Sequence, residues 1–179
     1  MAKKEKTLLR LDLGCGDNKR EGFTGVDKFK TASVDVVHDL LKYPWPFKPN
    51  SVEEINCSHF FEHIHGKDRP RFMEEVHRVL VPGGKAAFIT PYYKSPRATQ
   101  DFTHQWPPVS EESYLYFNKK WREDNKLTHG YYDIKCNFDF TFGYGIDGNW
   151  QARNDEARGF AMRHYWNVIN DLWVTLVKI

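Results

Sequence analysis

Gly14, Gly16 and Asp27 are the residues of this 179-residue chain whose types and spacing point most directly to chemistry. The two glycines close an apolar run, Leu8-Leu9-Arg10-Leu11-Asp12-Leu13, and glycine lets a backbone pass close to a ligand where any Cβ would clash. Asp27 ends the next strand-like run, Phe23-Thr24-Gly25-Val26. A carboxylate at that point can accept from both hydroxyls of a ribose. This is the pattern of an adenosine-containing cofactor held at the carboxyl ends of parallel strands. It is not a dinucleotide pattern: the third glycine of Gly-x-Gly-x-x-Gly is replaced by Lys19, and no full helix follows to aim its N-terminus at a pyrophosphate.

The spelling Leu11-Asp12-Leu13-Gly14-Cys15-Gly16 resembles the first motif of the class I S-adenosylmethionine-dependent methyltransferases. The similarity continues through Val26-Asp27, His38-Asp39-Leu40, Ser58-His59-Phe60-Phe61-Glu62-His63 and Arg78-Val79-Leu80-Val81-Pro82-Gly83-Gly84, covering most of residues 8–90. The resemblance implies a Rossmann-like seven-stranded, mostly parallel sheet with an antiparallel last strand. It implies S-adenosyl-L-methionine as the cofactor and in-line methyl transfer as the reaction. Carried over residue by residue, it places Asp12 near the methionine end and Asp39 and Leu40 at the adenine. Ser58 and His59 then end the fourth strand beside the sulfonium, and Cys15 fills the glycine turn.

A base is needed only where the acceptor must lose a proton before attack. His104, in Asp101-Phe102-Thr103-His104, follows the fifth strand, where an acceptor should enter. With His63 and Tyr92 it is a candidate for that role, and none of the three is assigned as catalytic. His59, His63 and His65 have no acidic or cysteine partner at ligand spacing, so no metal is expected. Thr90-Pro91-Tyr92-Tyr93 resembles the Asn-Pro-Pro-Tyr motif of enzymes that methylate DNA-base amines, but it ends strand five where theirs ends strand four. A net charge of +2 is too small to argue for nucleic acid, so a small molecule or nucleotide is the favoured acceptor. The alternatives are a nucleic-acid methyltransferase tracking phosphates with Lys94, Arg97, Lys119, Lys120 and Arg122, or a non-catalytic cofactor-binding interaction protein.

These residues need strands to position them, expected near 8–13, 23–27, 34–38, 53–58 and 85–90 from apolar runs bounded by turn residues. Only Asp17–Gly22 and Lys28–Ser33 join the first three, too short for a helical crossover. The early crossover helices are therefore shortened, and Val26, Val34 and Val36 need cover from a helix bearing Tyr114, Phe117 and Trp121 or from a second copy of the chain. A helix opens at Asp68-Arg69-Pro70, buries Phe72, Val76, Val79 and Leu80, and stops at Pro82-Gly83-Gly84. Later come a helix capped by Ser110, an alternating strand from Phe138 to Ile146, a helix over 149–164 and a last strand over Val168–Val177. One domain over 1–179 is expected, with 8–90 holding the cofactor and 91–179 facing the acceptor. The 6 Trp, 9 Tyr and 13 Phe lie mostly beyond residue 90 and call for burial in a core, a pocket or a partner. Three cysteines without ligand spacing, no signal peptide and no apolar run of membrane length point to the cytoplasm.

Overall fold

Seven strands carry the architecture: β1 (Leu9–Leu13), β2 (Thr24–Asp27), β3 (Val36–Val37), β4 (Val52–Ser58), β5 (Leu80–Pro91), β6 (Phe138–Ile146) and β7 (Ile169–Lys178). The computed structural model describes residues 7–127 and 133–179. The strands form one sheet in the order β3-β2-β1-β4-β5-β7-β6. Neighbours from β3 to β5 pair parallel, while β7 runs antiparallel to both β5 and β6. The chain works outward from β1 to β3 and then returns to β4 on the other side of β1. That reversal opens a crevice at the carboxyl ends of β1 and β4, where ligands of such sheets bind.

Register sorts the strand side chains onto two faces. Leu13 lies beside Val26, Leu11 beside Ile55, and Phe88 beside both Cys57 and Val174. Against this face packs α1 (Arg69–Val79), the crossover from β4 to β5, through Phe72, Met73, Val76 and Val79, all fully buried. The opposite face carries Arg10, Asp12, Glu54, Asn56, Lys85 and Trp173. Its polar groups pair with one another: Arg10 Nε donates to Glu54 at 2.9 Å and Asn56 Nδ2 to Asp12 at 2.7 Å. No helix follows β1 or β2, as the short connectors required.

The valines are a correction. Val26 and Val34 are at most 1% exposed, because Val26 points into the α1 side, in the core cluster that also holds Leu40 and Trp45. The thinly covered face is the other one, and it is polar.

The remaining helices are short: α2 (Pro96–Thr99), α3 (Glu112–Leu115), α4 (Lys119–Asp124), α5 (Gly148–Gln151) and α6 (Asp155–His164). The single helix expected from Ser110 is split into α3 and α4. Asn118 adopts extended backbone and its side chain caps Trp121 N, which stops one helix and starts the next. Asn154 does the same at the start of α6. Nor does Pro82-Gly83-Gly84 end the helix. It lies within β5 at a register shift against β4, where Gly83 takes φ +76°. The late aromatics divide: Tyr114 and Phe138 are fully buried, while Phe102 at 96%, Trp106 at 79% and Trp166 at 60% stand in solvent.

Candidate active site

At the carboxyl end of β1 the backbone turns through two left-handed glycines, Gly14 at φ +67° and Gly16 at φ +50°. Gly14 N donates to Val26 O at 2.8 Å, which folds the turn over β2. Asp27 at the tip of β2 then receives Gly16 N on Oδ2 at 3.1 Å and Phe29 N on Oδ1 at 2.9 Å. An ionised carboxylate offers about four acceptor sites, so two backbone amides orient Asp27 and leave capacity for a diol. A Cβ at Gly16 would meet nothing within 4 Å; the space over that residue is open.

Asp12 is 3% exposed, and both its oxygens are engaged: Asn56 Nδ2 at 2.7 Å and Arg20 N at 2.6 Å. It ties the glycine turn to β1 and β4. Cys15 Sγ packs towards Gly25, and burial, reinforced by Asp12 and Asp27, pushes its thiol up to about 11. It fills space and is not a nucleophile. Asp39 Oδ1 accepts from Leu41 N at 3.0 Å and so shapes a turn, while Leu40 is 2% exposed with its carbonyl bound by Trp45 Nε1. Ser58 ends β4. His59, next in the chain, takes φ +52°, a costly conformation for a residue with a side chain, and is held by its amide on Ile89 O at 2.8 Å. The Glu62 carboxylate beside it raises the His59 imidazole above the ordinary histidine range.

Of the three groups considered for proton transfer, the fold brings two together. The rings of His63 and His104 meet edge-on with centroids 4.8 Å apart. Tyr92 packs elsewhere, against Tyr93 and Tyr144. Burial, and next the Glu111 carboxylate, drive its phenol far above the ordinary tyrosine range, so it stays protonated at neutral pH. Two residues the sequence reading passed over complete this corner. Glu62 lies in a short 3-10 turn, Phe61–His63, and Arg69 of α1 clamps the 103–107 loop. Arg69 donates to Ile64 O at 3.0 Å, Pro107 O at 2.7 Å and Gln105 O at 3.3 Å. A cleft of about 890 Å³ borders the same loop, lined among others by Gly66, Trp106, Pro108 and Ile134. The glycine turn is not part of it.

The basic residues weighed for phosphate tracking each have a partner within the chain. Arg122 is 6% exposed and binds the Tyr116, Ile134 and Cys136 carbonyls. Arg97 pairs with Asp171, Lys119 with Glu123 and Lys120 with Asp124, and Lys94 donates to Arg163 O.

Comparison with known proteins agrees with this geometry. Residues 11–88 match a methyltransferase-domain family. No curated protein sequence matches the chain. Among solved structures, an S-adenosylmethionine-dependent methyltransferase from Archaeoglobus fulgidus superposes with a TM-score of 0.66 at 20% identity, over 97% of this chain and 87% of that one. Geranyl diphosphate C-methyltransferase from Streptomyces coelicolor A3(2), crystallised with Mg2+, geranyl diphosphate and S-adenosyl-L-homocysteine, gives 0.57 at 16% identity over 97% and 73%. A chain from the complex between the Haloferax volcanii Trm112 methyltransferase activator and a methyltransferase gives 0.56 at 17% over 98% and 83%. Among the described residues no helix is long and apolar enough to cross a membrane. The Leu11–Gly16 motif lies inside the segment that matches the methyltransferase-domain family, and the chain as a whole shares the fold of S-adenosylmethionine-dependent methyltransferases.

Proposed function

We propose that the chain transfers the methyl group of S-adenosylmethionine in line to a small molecule or nucleotide. The observation that carries this reading is Asp27, held at the tip of β2 by Gly16 N and Phe29 N with acceptor capacity to spare. In this reading the ribose diol binds Asp27 and the cofactor chain crosses Gly14, Cys15 and Gly16. Adenine lies by Asp39 and Leu40, and the sulfonium faces Ser58 and His59, with Asp12 bracing the methionine end. Residues 8–90 hold the cofactor, and 91–179, in the same single domain, face the acceptor. Alignment of acceptor and methyl group supplies much of the rate, about 7–11 kcal/mol of the barrier. A small acceptor is favoured because the net charge is only +2 and Arg122, the buried member of the basic set, is taken up by backbone carbonyls. Three buried, unpaired cysteines suit a reducing cytoplasm. The core valines are covered by the chain's own residues, so a homodimer is not needed to bury them.

Calorimetry with S-adenosylhomocysteine tests the reading. Wild type binds, and Asp27→Ala stays folded but binds at least tenfold more weakly, since hydrogen bonds to a charged acceptor are worth about 1.5–3 kcal/mol each. Absence of binding to wild type sinks the proposal. Equal affinity in the two proteins removes the ribose from Asp27.

A further inference from the structure

Glu62 stands out in its setting. It lies in the 3-10 turn that follows β4, is 4% exposed, and neither carboxylate oxygen accepts a hydrogen bond from the described residues. A buried charge is costly unless it is paired or coordinates a metal. His59 Nδ1 comes within ion-pair distance, 3.3 Å, of Oε1, yet both carboxylate oxygens are left without a hydrogen bond. His104 shows the same pattern: its side chain is 10% exposed and its Nδ1 is buried without a partner. The atoms that Glu62, His63 and His104 can offer to an ion lie within 4.8 Å of one another.

The surroundings orient both rings. His63 Nδ1 lies 3.3 Å from Thr103 O. A carbonyl only accepts, so the neutral tautomer that satisfies this contact carries its proton on Nδ1 and offers the Nε2 lone pair to an ion. His104 turns Nε2 towards Asp101, 3.6 Å away, which leaves Nδ1 as the free donor atom. The loop that brings His104 here is fastened to the turn by Gln105 N on Glu62 O at 2.9 Å and by the Arg69 clamp.

We propose that Glu62, His63 and His104 bind a divalent first-row transition ion, Zn2+ in type, beside the methyl-transfer point. Two imidazoles and one carboxylate suit such an ion and leave coordination positions open, whereas Mg2+ and Ca2+ favour all-oxygen sets. Donors around an ion with bonds of about 2.1 Å sit about 3.4 Å apart, so small side-chain rotations close the set. Resting on the methyltransferase reading, the proposal also names the acceptor class, a hydroxyl compound bound through oxygen at an open position. The ion lowers the hydroxyl pKa and the proton leaves to solvent. The oxygen electron pair forms the new C–O bond, the C–S pair returns to sulfur, and the sulfonium becomes a neutral thioether. Nothing is oxidised or reduced.

The test uses the untagged full chain, stripped with chelator and titrated with Zn2+ by calorimetry and with Co2+ by visible absorption. S-adenosylhomocysteine binding is measured in parallel without metal. One ion per chain is expected at micromolar affinity or tighter, weakened at least tenfold in both Glu62→Gln and His104→Asn, with S-adenosylhomocysteine affinity unchanged. Circular dichroism identifies a variant that fails to fold, and the other then carries the comparison. No uptake by wild type overturns the site and leaves Glu62 as the ion-pair partner of His59. Uptake unaltered in folded variants, or a Co2+ spectrum showing thiolate ligation, overturns it equally. Metal binding without S-adenosylhomocysteine binding defeats the cofactor reading while the ion site stands.

Discussion

The Phe60 ring lies directly over Gly14: a Cβ at position 14 would sit 2.2 Å from its Cδ2. The first glycine of the turn is therefore required twice, by φ +67° and by the aromatic side chain that follows β4. Gly14→Ala combines left-handed strain with overpacking, a cost of about 2–5 kcal/mol. A marked fall in thermal stability and loss of S-adenosylhomocysteine binding are expected. Gly16→Ala meets only the conformational cost, about 1–2 kcal/mol, because nothing lies within 4 Å of its Cβ. It should remain folded yet bind the cofactor poorly, since the methyl group enters the space left for ligand. Equal melting temperatures for the two variants would contradict this distinction.

Arg69 is 4% exposed and donates to the carbonyls of Ile64, Pro107 and Gln105. Arg69→Met keeps the packing on Phe61 but strands those carbonyls, at about 2–4 kcal/mol. Urea denaturation should show the loss, and hydrogen exchange should localise it to the Gln105 amide on Glu62 O. A uniform rise in exchange across the sheet would count against a local clamp.

Burial, and next the Lys178 ammonium, hold His77 below the ordinary histidine value of 6.5. The folded state thus favours the neutral ring that packs edge-on against Phe138 at 5.2 Å. The unfolded chain binds the proton more readily, so this contribution is complete above pH 6.5 and is lost as pH falls from there through the lowered folded value. His77→Leu should show a smaller drop in urea midpoint between pH 7.5 and 5.5 than wild type; equal drops would refute the assignment. Asp35, held low by Lys19 and the Gly25 amide, titrates in a more acidic window and does not confuse the comparison.

Sedimentation velocity at micromolar concentration should give a single species near 21.2 kDa. The exposed sheet face is laced by its own polar pairs, and a concentration-dependent dimer would show that Trp173 and its neighbours recruit a second copy after all.

Much of the parallel part of the sheet was legible in the sequence because its signals are local. Gly14, Gly16 and Asp27 mark strand ends by residue type alone, and the strict alternation from Phe138 to Ile146 reproduces β6 to the residue. Asn118 and Asn154 were missed because a capping side chain inside a helical pattern reads as one more polar position. Pro82-Gly83-Gly84 misled because a bulge and a helix stop use the same residues. The convergence of His104 on Glu62 and His63 depends on a loop folding back across the sheet end, and no spacing rule spans that distance. The role of Arg69 was hidden too, since its partners are backbone carbonyls, which every residue possesses.

Stripping the helices after β1 and β2 has a thermodynamic consequence. Unfolding a sheet with one apolar face covered exposes less hydrocarbon per residue than unfolding one covered on both, and heat capacity and denaturant slope both follow the area exposed. The stability curve of this protein should therefore be flatter, and its urea transition broader, than those of a helix-sheathed enzyme of equal length. Its margin against heat then varies little across the temperatures at which it works.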